Sequence, residues 1–152
     1  MKETKRIVSL FEKLHEGSPW IDVNVKDTLL QLSFKQAAKK IKPNINSIWE
    51  IVNHLIAWRI NVLQRVNGKV ITTPAHNYFQ PVTDISEANW QNTVDSFEQT
   101  QEEWLKFLKS FKASGFEKIY PNNNMNYYEH IHGIIQHDAY HLGQVRLLMN
   151  LL

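Results

Sequence analysis

The amino-acid sequence predicts an all-α protein: a single-domain antiparallel four-helix bundle spanning residues 1–152, with a long, partly helical connection between its first two helices. Three observations lead there. Apolar residues recur at helical spacing in four long segments, capping or breaker residues bound those segments, and no stretch alternates apolar and polar residues like a half-buried strand. Helices of this length bury their apolar stripes most economically against one another.

The first helix is expected over residues 3–16, where Ile7, Phe11 and Leu14 share a face and Gly17, Ser18 and Pro19 stop the run. Residues 20–46 hold two short amphipathic pieces, around Val25 to Leu32 and around Phe34 to Ile41, closed by Pro43 and two asparagines. The second long helix begins with the capping box Ser47-Ile48-Trp49-Glu50 and ends at Asn67-Gly68. Its inward face reads Ile48, Ile51, Leu55, Trp58 and Val62. A loop over 69–85 follows, and Ser86 then caps a third helix whose positions 90, 94, 97, 101, 104, 108 and 111 repeat as heptads. All of these but Gln101 are apolar or aromatic. The polar loop Pro121-Asn122-Asn123-Asn124 leads into a last helix with Ile134, His137, His141, Val145, Leu148 and Leu152 along one stripe.

Composition narrows the function. With 43% apolar and 21% charged residues the chain reads as globular, and no apolar stretch approaches the roughly 20 residues that span a bilayer. The first residues lack the uninterrupted apolar region and small-residue cleavage site of a signal peptide, so a cytoplasmic location is expected. The net charge of +2 comes from scattered residues with no dense basic run, which argues against nucleic acid as a partner. The absence of cysteine excludes disulfides, thiolate metal ligands and a cysteine nucleophile; any thiol must come from a cofactor.

The histidines carry the chemistry. His137 and His141 are four apart on one helix, one above the other, so both imidazoles can reach a single ion. They lie on the apolar seam, where a lone imidazole needs a partner. His54 occupies the inward face of the second long helix, and bundle cores build metal sites from facing helices. The residues alone leave two readings: ligands of one divalent ion, or core histidines paired by hydrogen bonds. Three histidines from two helices would leave coordination positions open, as reactive sites do. His130, seven residues before His137, stands about 10 Å away along the axis, too far to share the ion. His132 points elsewhere, and His15 and His76 are expected to be solvated or capping, at a helix end and in a loop.

The segments Ser47-Ile48-Trp49-Glu50-Ile51-Val52-Asn53-His54-Leu55-Ile56-Ala57-Trp58-Arg59 and His132-Gly133-Ile134-Ile135-Gln136-His137-Asp138-Ala139-Tyr140-His141-Leu142-Gly143-Gln144 resemble the DinB/YfiT-like superfamily, over nearly the whole chain. The resemblance implies a four-helix bundle binding zinc, nickel or a similar divalent ion through one histidine of the second helix and two of the fourth, here His54, His137 and His141. It implies homodimers, and a metal-dependent transferase or isomerase using a low-molecular-weight thiol such as bacillithiol, mycothiol or glutathione on a small-molecule substrate; other members are classed as hydrolases or damage-inducible proteins.

On that reading Gln144, one turn beyond His141, is a candidate second contact of the metal site, of the cofactor or of the substrate, or else a core hydrogen-bonding residue. Asp138, about 100° around the helix from His137, orients a neighbour or faces solvent. Trp58 and Tyr140 line a pocket or belong to the core. Two rival functions remain. The outline His137-Asp138-x-x-His141 resembles the zinc-protease motif with aspartate in place of the catalytic glutamate, and no further histidine or carboxylate follows. The other is non-catalytic: a metal-stabilised bundle, or a small-ligand-binding protein of stress response.

Overall fold

Three of the long helices start on the residue types that best satisfy their free N–H groups. A computed structural model of the chain describes residues 3–152, and among these it contains six α-helices and no strand. The helices are α1 (Glu3–Glu16), α2 (Val25–Leu30), α3 (Phe34–Ala38), α4 (Ile48–Val66), α5 (Glu87–Ser110) and α6 (Tyr127–Leu151). Ser33, Ser47 and Asn126 each close a reciprocal capping box before α3, α4 and α6, while Ser86 caps α5 through the Asn89 N–H. At the end of α4, Gly68 takes φ +91°, and the Gly68 and Lys69 N–H groups return to the Arg65 and Gln64 carbonyls, the paired bonds that finish a helix on glycine.

Helices α1, α5, α4 and α6 form a ring in which each packs on the next. Phe11 stacks on Trp104 while His15 reaches Glu98, so α1 and α5 are antiparallel. His54 meets His141 while Arg59 meets Asp138, so α4 and α6 are antiparallel too. The other two neighbours run in the same direction: Trp49 pairs with Thr93 and Arg59 with Thr100 across α4 and α5, and Glu3 meets Tyr128 while Leu14 lies beside Ile135 and Ala139 across α1 and α6. A parallel pair needs a connection that travels back along the bundle, and α4, about 28 Å long at 1.5 Å per residue, therefore needs the extended segment between it and α5.

Two apolar clusters fill the bundle. One holds Leu14, Trp49, Val52, Trp90, Phe97 and Val145 with the short helices α2 and α3 packed on it; the other holds Ile7, Phe11, Val62, Trp104, Leu108 and Ile131. Between them lies a buried polar network. Arg59 donates from Nε to Asp138 (2.9 Å), from Nη1 to Thr100 (3.0 Å) and from Nη2 to Gln101 (2.8 Å). Thus Gln101, the one polar heptad position of α5, is buried as a partner of a buried cation. Asp138 is enclosed in the core rather than facing solvent, and burial pushes its carboxyl upward against the pull of Arg59.

Candidate metal centre

Helices α4 and α6 bring His54, His137 and His141 together, with one ring nitrogen from each within 4.8 Å of the others. The i, i+4 spacing of His137 and His141 on α6 puts their ring centroids 4.5 Å apart, and the antiparallel crossing of α4 sets His54 opposite both. His54 Nε2 and His137 Nε2 are 3.0 Å apart. Metal–nitrogen bonds of about 2.0–2.1 Å space two ligand nitrogens by about 2.9 to 3.4 Å for angles from a right angle to tetrahedral, so this pair stands at coordination spacing.

The outer ring nitrogens define the tautomers. His54 Nδ1 donates to the Asn77 carbonyl at 2.7 Å, and His141 Nδ1 donates to Gln144 Oε1 at 2.6 Å. Each bond holds the proton on Nδ1 and leaves the Nε2 lone pair turned inward, the usual arrangement behind a metal-bound imidazole. His137 Nδ1 is buried without a partner. Burial pulls all three imidazoles below their usual 6.5; for His137, where the neighbouring His141 and His54 add to burial, the value falls to about 3. Three neutral, convergent nitrogens suit a divalent ion, which takes imidazole only in its unprotonated form.

The loop between α4 and α5 completes the site. Asn77 and Tyr78 both adopt left-handed backbone, φ +50° and +62°, a conformation that costs energy for residues with a Cβ. It aims the Asn77 carbonyl at His54 while the Asn77 side chain accepts from Trp58 Nε1 at 3.0 Å, and Asn61 donates to the Tyr78 hydroxyl at 2.6 Å. Phe79 then lies flat on His54, ring centroids 3.9 Å apart. Beside the histidines opens a groove of about 680 Å³ that includes Ile51, Phe79, Tyr140, Gln144, Leu148 and Leu151, and no carboxylate or lysine lines it. Asp138 is absent from this wall.

The remaining histidines lie elsewhere. His130 sits edge-on to Tyr120, His132 packs on Tyr128, and His76 is exposed in the loop. His15 corrects the expectation of a solvated or capping residue: it is buried, stacked on Phe97 and bonded to Glu98 at 2.8 Å, because the end of α1 is covered by α5. The loop residues Asn77, Tyr78 and Phe79 escaped the sequence reading, since a coil segment has no period from which its tertiary contacts follow. Gln101 did leave a signal, a lone polar residue in an apolar heptad, and its partner Arg59 lay unassigned on α4.

Compared with known proteins, residues 24–145 match the family model described as the DinB superfamily. No curated protein and no solved structure matches the chain.

Proposed function

From its membership of the DinB superfamily, shown by a match over most of the chain, we propose that this protein is a metal-dependent enzyme that brings a small nucleophile to an ion held by His54, His137 and His141. The observation that carries the reading is the convergence of three neutral imidazoles beside an open groove. Zinc or nickel is the proposed ion, because imidazole nitrogens suit both. Such an ion lowers the pKa of a thiol or water brought to it and so supplies a nucleophile near neutral pH. The nucleophile proposed is a low-molecular-weight thiol such as bacillithiol or glutathione, consistent with a chain that has no cysteine, and the reaction an S-transfer or isomerisation, with hydrolysis as the outcome where water takes that place.

The chain's own residues have three tasks. Asn77 and Gln144 hold the tautomers of His54 and His141, Phe79 covers one face of His54, and Ile51, Leu148 and Leu151 give the groove an apolar wall from which a substrate displaces water. The protease-like reading loses support: a general base must reach the reacting proton, and Asp138 is turned into the core against Arg59. The groove also speaks against an ion that serves only to clamp two helices. Small molecules are the proposed substrates, in a homodimer; the exposed Trp20, Ile21 and Leu10 beside the α1/α6 seam offer apolar surface for a second copy, and sedimentation over a range of concentrations tests it.

Elemental analysis of untagged protein tests the centre. About one zinc or nickel per chain is expected, lost in both His54→Ala and His141→Ala. A wild-type chain that takes up neither metal would return the histidines to the core and remove the basis of the enzyme.

A further inference from the structure

Helix α4 carries two buried arginines, Arg59 and Arg65, and only one of them is neutralised. Arg59 has Asp138; Arg65 has no carboxylate partner among the described residues although it is only 8% exposed. Its guanidinium carbon lies over two aromatic rings, 5.3 Å from the centre of Trp58 and 5.0 Å from that of Tyr120. Its hydrogen bond runs from Nη2 to Thr73 Oγ1 at 3.0 Å, and Nε is buried without a partner. A guanidinium has five N–H donors, and among the described residues this one bonds to no protein acceptor beyond Thr73. Removing a charge from water without a counter-charge is costly, which makes an unpaired buried arginine an exception that calls for a ligand.

Arg65 lines a second cavity of about 350 Å³, shared with Trp58, His130, Ile134 and His137. His130 Nε2 is also buried without a partner. Glu129 is the cavity's one carboxylate, and its Oε2 accepts from the Asn126 N–H in the cap of α6 without pairing with Arg65. Trp58 joins this cavity to the metal centre: its ring is 5.3 Å from the Arg65 guanidinium and 6.0 Å from the His137 ring. His137 lines both spaces.

We propose that Arg65, with His130 beside it, is a specificity-determining subsite for the carboxylate of a small organic acid, whose remaining atoms extend past Trp58 toward the three histidines. The ligand class is then an acid with its apolar or reacting part a few bonds from the carboxylate. Planar two-point contact with a carboxylate is what guanidinium geometry favours over ammonium. That the acid is the substrate of the three-histidine site rests on the function proposed above; the anion subsite itself does not.

Titration of the full-length ¹⁵N-labelled protein with butyrate and with butyramide, at constant ionic strength and followed at the Trp58 indole N–H, tests the subsite. Butyrate is expected to bind about tenfold or more tightly than the amide, as a charge-assisted pair requires. Arg65→Met should abolish the preference. Arg65→Lys, which keeps the charge but not the planar fork, should weaken butyrate several-fold, and it decides the matter should the methionine variant fail to fold. His54→Ala should keep the preference. Equal binding of acid and amide, unchanged butyrate affinity in Arg65→Lys, a preference that survives in Arg65→Met, or its loss in His54→Ala would each overturn the subsite. Failure of the metal reading is distinct: wild type without metal, its butyrate preference intact.

Discussion

Gln144 makes the case for the centre at the scale of one side chain. Its Oε1 holds the proton on His141 Nδ1 at 2.6 Å and so keeps the inward nitrogen free. Loss of such a contact typically costs 10- to 100-fold in metal affinity. Gln144→Ala is therefore expected to weaken zinc by about that factor in a chelator competition, with all three ligands still in place; an unchanged affinity would demote Gln144 to a groove residue. Asp138 has the opposite assignment, structure rather than chemistry. Removing it strands Arg59, 3% exposed, in the core. Urea unfolding of Asp138→Ala should show a loss of about 3–5 kcal/mol. Near-wild-type stability would mean that Thr100 and Gln101 suffice to hold the cation.

Among the elements, the connection over 69–85 does most to turn a helical scaffold into a site. It runs back along the bundle because α4 and α5 point the same way, and it is fastened by Arg65 to Thr73, Asn61 to Tyr78 and Trp58 to Asn77. Tyr78→Phe removes the 2.6 Å bond from Asn61. Hydrogen exchange over the loop should then quicken while the middle of α4 stays protected, because loops open locally at a free-energy cost well below that of global unfolding. Equal exchange in both proteins would show that Phe79 on His54 and Asn77 at Trp58 hold the loop without Tyr78. The helices themselves are written plainly in the chain: Ser47 with Glu50 opens α4, and Asn67-Gly68 closes it where the periodicity predicts.

For the molecule as a whole, the buried imidazoles tie stability to pH. His54, His137 and His141 are all below their ordinary 6.5 in the folded chain, His137 at about 3. Between those values the unfolded chain binds the protons that the folded one refuses, so folding stability rises with pH across that window and is lost as pH falls from about 6.5 toward 3. Metal-free protein should therefore show a melting temperature that declines as pH falls over this range, and a flat profile would contradict the neutral state of the three rings. No helix among the described residues is long and apolar enough to cross a membrane. What the chain by itself determined is local: helix existence and ends, the apolar stripes, and the pairing of His137 with His141, because periodicity and caps act over a few residues. His54 as their neighbour was legible as an inward position on a facing helix. Only the tertiary structure decided which helices are parallel, that Arg59 and Asp138 meet between the two apolar clusters while Arg65 is left without a counter-charge, and that Asn77 and Phe79 close over His54. Those contacts join residues far apart in the chain, through a loop whose path depends on packing and backbone strain rather than on any repeating pattern.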